Sequence, residues 1–316
     1  MSEIFSQIKT KINASQNILL LTHKKPDGDA LGSLLAMRLF LLSEQKNVGT
    51  YLNDRPADYW QFLPGSESLN LSREIFQQNW DLVIVLDSGE LPYTGIEVEW
   101  LKGAFIINMD HHWTNTQFGQ INCVDETASS ASEVVYHFFK EIDATINKNI
   151  ATCLLNGILN DTGGLTNSAT SESAVSATSD LTRYGARIDR LNDWINRHKT
   201  LAGLRLWGDI LSRLTVNKKY SLAFTYVKEE DFKKYEVDES EVDGLVNFLN
   251  ALTGVNVVMF LKIRPHEVKI SFRTKRDDVN VADLAQLLGG GGHKKAAACC
   301  LPFIVTEQNG QLAISE

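Results

Sequence analysis

No run in this 316-residue chain approaches the roughly 18 consecutive apolar residues of a membrane-spanning helix, so no membrane span is expected. The chain also lacks a basic excess. Its formal net charge is −8, whereas a protein gripping long duplex DNA or RNA gains affinity from many phosphate contacts on a basic face. Some of that acidity sits in carboxylates that bound cations would offset. A small phosphorylated substrate held by a local basic clamp therefore fits better than a long polymer. Cysteine is scarce, and Cys123, Cys153, Cys299 and Cys300 have no zinc-ligand spacing. Adjacent Cys299 and Cys300 are poorly placed to bridge each other, so reduced, mostly buried thiols and a cytoplasmic protein are expected. The segment 1–15 reads as an amphipathic helix without the apolar core and cleavage site of a signal peptide. There is no internal repeat and no low-complexity tail.

What is present is an alternation of strand and helix signals. Apolar runs of strand length lie at 17–23, 48–53, 81–87 and 104–110, nearly continuous as a sheet covered on both faces requires. Between the first two, Leu31, Leu34, Leu35, Leu39 and Leu42 follow helical spacing, and further helices are expected over 129–142, 148–160 and 171–184. The pattern predicts an α/β protein with a doubly wound, mainly parallel N-terminal sheet over 1–184 and a charged helical linker over 185–213. A smaller α/β domain follows over 214–316. In that second domain the runs 221–227, 255–263 and 267–273 read as antiparallel strands. Helices are expected near 241–252 and 281–288, and Gly289–Gly292 as a loop whose backbone comes close to something.

Three carboxylate-rich clusters sit just after apolar runs: HKKPDGDALG (23–32), VLDSGE (85–90) and DHHWTN (110–115). Strand ends are where parallel α/β sheets place their chemistry. With Asp161 these clusters supply enough Asp and His for two divalent metals, and imidazole with carboxylate suits Mn²⁺. Taken singly the signals have plainer readings. Gly28 lets the backbone bend so that Asp27 and Asp29 converge, though these two also read as caps of the helix from Ala30, and Asp87 as a turn-initiating residue. His111 and His112 are adjacent, so one imidazole can ligate while the other faces substrate. Asp161 enters a Gly-Gly turn at 163–164. His137, His198, His266 and the tryptophans show no partner spacing, and the Ser/Ala-rich stretch Thr127–Glu133 reads as a small-residue packing face.

Taken together, HKKPDGDALGS, VLDSGE, DHHWTN and NDTGG resemble the four motifs of the DHH phosphoesterase superfamily. The segment SFRTKRDDVNVADLAQLLGGGGHKKAAA resembles the accessory DHHA1 domain with its GGGH signature. Length and domain order are similar to the nanoRNase/pAp phosphatase branch rather than to the larger RecJ exonucleases. The resemblance implies an active site in the interdomain cleft. It implies one metal on His23, Asp27 and Asp87 and a second on Asp29, Asp87, His111 and Asp161, with Asp87 bridging. It further implies Asp110 as an orienting group for His111 or its neighbours, His112 on the scissile phosphoryl group, and Arg273, Gly290, Gly291, Gly292 and His293 as the clamp for the nucleotide end. Arg can form a bidentate fork with phosphate that Lys cannot. Lys275 and Arg276 read as a solvated turn. Lys24, Lys25 and Ala298 depart from the family pattern without touching an implied ligand.

The activity so implied is metal-dependent hydrolysis of short RNA, about two to five nucleotides long, to mononucleotides and of 3′-phosphoadenosine 5′-phosphate (pAp) to AMP. Two divalent ions are implied, Mn²⁺ before Mg²⁺ or Co²⁺, in a monomer or homodimer with no long-duplex partner. Alternatives are cleavage of cyclic-di-AMP or its product pApA, hydrolysis of pyrophosphate or polyphosphate, and a catalytically decayed nucleotide-binding protein. The GGGGH run argues against the pyrophosphatase, and the complete set of candidate ligands against decay.

Overall fold

Strand residues of the N-terminal half are apolar at successive positions because both faces of their sheet are covered. Along β1 (Asn17–Leu21), Ile18 and Leu20 join one core while Leu19 and Leu21 join the other. The computed structural model describes residues 1–196, 199–308 and 311–315. They form two units, Met1–His198 and Lys199–Glu316. His198 lies outside the described residues.

The first unit runs α1 (Ser2–Ala14), β1, α2 (Gly28–Ser43), β2 (Asn47–Tyr51), β3 (Leu82–Leu86), β4 (Phe105–Asp110), β5 (Ile121–Val124), α3 (Ala131–Glu141), α4 (Lys148–Asp161), α5 (Glu172–Arg183) and α6 (Ile188–Asn196). Its five strands are all parallel in the order β2-β1-β3-β4-β5. The chain goes outward from β1 to β2 and then returns to the other side of β1, which opens a crevice beyond the carboxyl ends of β1 and β3. Helices α1–α5 bury the face carrying Ile18, Leu20, Ile84 and Leu86. The face carrying Leu19, Val83 and Val85 is covered by 3₁₀ turns such as Arg73–Gln77 and Val98–Leu101, not by α-helices.

The second unit runs α7 (Leu201–Ser212), β6 (Thr215–Asn217), β7 (Leu222–Lys228), α8 (Glu229–Tyr235), α9 (Leu245–Leu249), β8 (Val257–Ile263), β9 (Val268–Arg273), α10 (Val281–Leu287), β10 (Gly291–His293) and β11 (Ala296–Leu301). A hairpin of β12 (Ile304–Gln308) and β13 (Gln311–Ser315) ends it. Six strands pair in the order β10-β11-β9-β8-β7-β6. Two expectations need correction here. β7 and β8 are parallel, because the intervening α8 and α9 carry the chain back to the same end. The glycine run is not a loop throughout: Gly291 and Gly292 open β10, which pairs antiparallel with Ala296–Ala298. The segment expected as one connector holds two helices, α6 in the first unit and α7 in the second.

All four cysteines are free, with Cys123, Cys153 and Cys299 buried and Cys300 exposed. Among the described residues no helix is long and apolar enough to cross a membrane.

Candidate metal centre

The crevice between the ends of β1 and β3 is where the acidic and imidazole side chains of the first unit converge. His23 lies two residues beyond β1. Its Nδ1 is 2.8 Å from the carbonyl of Lys24, and an Nδ1–H donated there leaves Nε2 free to bind. Nε2 faces Asp87 Oδ2 at 3.3 Å and Asp27 Oδ1 at 4.0 Å. Asp87 follows β3 directly with φ +54°, a left-handed backbone that only the turn out of the strand requires. Its other oxygen, Oδ1, points to His111 Nε2 at 3.6 Å and, though fully enclosed, accepts no hydrogen bond. His111 continues from β4. Its Nδ1 is 3.4 Å from the Ala128 carbonyl and its Nε2 is 3.4 Å from Asp161 Oδ2, at the end of α4.

One atom each from His23, Asp27 and Asp87 lie within 4.8 Å of one another, as do atoms from Asp29, His111 and Asp161. Asp87 presents one carboxylate oxygen to each group. Asp27 also does what the plainer reading gave it: Oδ1 accepts from the amides of Asp29 and Ala30 and caps α2. Asp29 does not cap that helix. Its buried carboxylate takes the Ala131 amide at 2.6 Å and the Ser132 amide at 2.9 Å, at the start of α3. Gly28 has ordinary helical backbone, and a side chain there would strike Trp60 and Asn160, so space and not bending calls for glycine.

Asp110 bonds His112, not His111. The Nδ1 of His112 is 2.8 Å from Asp110 Oδ1, and Asp110 Oδ2 accepts from Asn115 Nδ2 at 2.6 Å. Asn115 donates as well to Asn108 Oδ1 at 2.7 Å. Asn108 and Asn115 escaped the sequence reading, although Asn115 closes the DHHWTN motif. Tyr93 also escaped it; its ring stacks on His23 at 5.6 Å.

The electrostatics are those of a site short of positive charge. Burial, and then repulsion from Asp87, holds the Asp29 carboxyl well above the usual carboxylate range. Burial with repulsion from Asp29, Asp27 and Asp87 does the same to Asp161. Burial opposes charge on His23, yet Asp87 and Asp27 outweigh it and push the imidazole up to about 10. Burial likewise opposes charge on His112, which Asp110 and Asp87 lift to about 9, while His112 and His111 draw Asp110 down to about 2 against its own burial. Crowded buried carboxylates, imidazoles presenting Nε2 and an enclosed carboxylate oxygen without a hydrogen bond are the donor set divalent cations take. The residues fit such ions.

The remaining sequence candidates gather in the second unit. Arg273 of β9 pairs with Ala296 of β11, which pairs with His293 of β10, so Arg273 and His293 share one face across a small residue. Arg273 Nε donates to Asn247 Oδ1 at 2.8 Å. The amide of Gly290 is already committed, bonding the Ala285 carbonyl at 2.8 Å in the turn after α10. A side chain at Gly290 would run into the backbone of Ala298, so this glycine serves close strand packing instead of presenting a free amide. Arg276 is exposed and paired with Asp278.

The first unit matches the DHH family, N-terminal domain, over residues 17–158, and the second matches the DHHA1 domain over residues 219–313. The chain is 31% identical to a bifunctional oligoribonuclease and PAP phosphatase NrnA from Thermus thermophilus, over 86% of this chain and 80% of that protein. It is 25% identical to the protein of the same name from Bacillus subtilis, over 85% of each. A crystal structure of an exopolyphosphatase-related protein from Bacteroides fragilis superposes with a TM-score of 0.84 at 25% identity, covering 95% of this chain and 91% of that one.

Proposed function

This chain belongs to the DHH family, and from that premise we propose that it is a two-cation phosphoesterase. Its substrates would be short oligoribonucleotides, hydrolysed to mononucleotides, and pAp, hydrolysed to AMP. The observation that carries this reading is Asp87, whose two oxygens face two separate donor groups, one around His23 and one around His111. His23, Asp27 and Asp87 would hold one divalent ion, and Asp29, Asp87, His111 and Asp161 the other. The mixed imidazole and carboxylate donors favour Mn²⁺ over Mg²⁺. Such ions would supply Lewis acidity to a phosphoryl group and lower the pKa of water toward neutrality.

The chain's own groups do the positioning. Asp110 fixes the ring of His112 through Nδ1. His112, charged at neutral pH in the cation-free protein, is suited to donate a hydrogen bond to a phosphoryl oxygen. Asn115 and Asn108 hold Asp110 in place from its other side. Arg273 and His293, on one face of the second sheet, would bind the nucleotide end of the substrate.

A substrate panel on metal-stripped protein reloaded with Mn²⁺ tests this function. It comprises pAp, pApA, an RNA pentamer, an RNA of two dozen nucleotides, pyrophosphate and cyclic-di-AMP. Fast release of mononucleotide from pAp and the pentamer, with the long RNA much slower, is the expected result. Turnover of pyrophosphate alone would overturn it, and so would silence across the panel.

A further inference from the structure

Asp29 and His111, which come from distant parts of the chain, are held by one short stretch, Ala128–Ser132. The amides of Ala131 and Ser132 bind the Asp29 carboxylate, and the carbonyl of Ala128 faces His111 Nδ1. What holds that stretch is Glu133. Its side chain is wholly buried, and its Oε2 accepts the Ser129 amide at 2.7 Å. Oε1 is 3.4 Å from His137 Nε2, one helical turn along α3, and His137 Nε2 is 3.0 Å from Ser173 Oγ on α5. Burial opposes the charge on Glu133, but hydrogen bonds from His137, Ser129 and Ser173 outweigh it and keep the carboxyl at about 2, ionised under all ordinary conditions. The carboxylate thus ties the segment leading into α3 to the body of α3 and, through His137, to α5. Ser129 stands next to Ala128 on one side and two residues from Ala131 on the other, so its place decides where both sets of partners lie.

We infer that Glu133 is a positioning residue for one half of the metal centre. By anchoring Ser129 it sets the affinity for the cation held by Asp29, His111 and Asp161, and leaves the group of His23 and Asp27 alone. This rests on the two-cation reading given above. Among the described residues, His23 and Asp27 bond the Lys24 carbonyl and the Asp29 and Ala30 amides and not residues 128–132, so that stretch reaches their group only through the backbone of Asp29, and the effect falls on the Asp29 and His111 side.

The test is Mn²⁺ titration of the 316-residue, metal-stripped protein, followed by the electron paramagnetic resonance of free Mn²⁺. Wild type is expected to show two sites. Glu133→Asp keeps the charge but shortens the reach to the Ser129 amide, and should weaken one site by about 10–100-fold, the usual scale for outer partners of metal ligands, with the other unchanged. Glu133→Gln loses the charge but keeps an oxygen at the Ser129 amide, and should bind at both sites within about threefold of wild type. The reverse order would show that charge and not position matters, and would overturn the inference; so would equal weakening at both sites. Ser129→Pro deletes the amide that Glu133 receives and provides a second route should Glu133→Asp fail to fold. The same one-sided loss is expected, and two intact sites in that variant would overturn the inference. A wild type that binds no Mn²⁺ would instead bring down the metal-centre reading, and this inference with it.

Discussion

Asp87 shows at the scale of one residue how the centre is assembled. A non-glycine residue in the left-handed region costs on the order of 1–3 kcal/mol and persists where its surroundings over-determine it. Here the backbone is held by the Asp87 amide bonding the Met109 carbonyl at 3.0 Å, and the turn aims one oxygen at His23 and the other at His111. The same crowding has a consequence in pH. With no cation bound, His23 titrates at about 10 instead of 6.5, so at neutral pH it carries a proton that a cation must displace. Affinity for Mn²⁺ should therefore rise with pH, by up to about tenfold per pH unit for each proton displaced, until the pH reaches about 10. The stability of the metal-free protein moves the other way. A group whose pKa is raised by folding stabilises fully below its ordinary value, and the contribution of His23 is lost as the pH climbs from 6.5 to about 10. Calorimetric Mn²⁺ titrations in buffers of different ionisation enthalpy count the protons released. An affinity flat in pH, with none released, would contradict the assignment of His23.

At the scale of elements, the site depends on how closely α2, α3 and α4 approach one another. Gly157 of α4 lies against Ser132 and the Asp29 carboxylate, where a methyl group would overlap both. Two effects compete in Gly157→Ala. Helix propensity favours alanine by about 1 kcal/mol, and overpacking costs about 1–3 kcal/mol. Asp29 is pinned by two amides and cannot swing away, so the overlap should win. Melting of the metal-free variant is expected about 2–8 °C lower, with weaker Mn²⁺ binding. An unchanged or higher melting temperature with normal binding would show that the helices can part.

These contacts mark where the sequence stops being legible. The strand ends bearing His23, Asp87 and Asp110 were readable because a buried parallel strand needs an unbroken apolar run, and a lone polar residue after it stands out. Helices α2 to α5 were readable from their periodicity. The parallel pairing of β7 with β8 was not, because neither strand's pattern records the direction of its neighbour. Nor were the partners of Asp29: a carboxylate before a helix is ambiguous in sequence, and the amides it binds come from 102 and 103 positions away. Glu133 and His137 did carry a signal, their spacing of one helical turn, but Glu133 ends a Ser/Ala-rich stretch that reads as packing, and His137 reads as a histidine without a partner.

For the molecule as a whole the governing quantity is charge. A chain of net charge −8 has more acidic than basic side chains, and the cationic side chains proposed on phosphate are Arg273 and the protonated His112. Affinity for single-stranded RNA falls with salt at a logarithmic slope of about −0.7 for each phosphate neutralised. Two contacts give a slope of about −1.4, a loss of roughly sevenfold between 50 and 200 mM salt, where six would give a loss of several hundredfold. The Kd of a non-hydrolysable RNA trimer, measured across that range, separates the two cases. Arg273→Ala should reduce the loss to about threefold while leaving Mn²⁺ binding as in wild type, since the guanidinium belongs to the second sheet and not to the donor groups around Asp87. A steep slope in the wild type would mean a long cationic track that the net charge of −8 argues against. A slope unchanged by Arg273→Ala would remove that residue from the phosphate contacts and leave His112 as the sole cationic side chain proposed on the substrate.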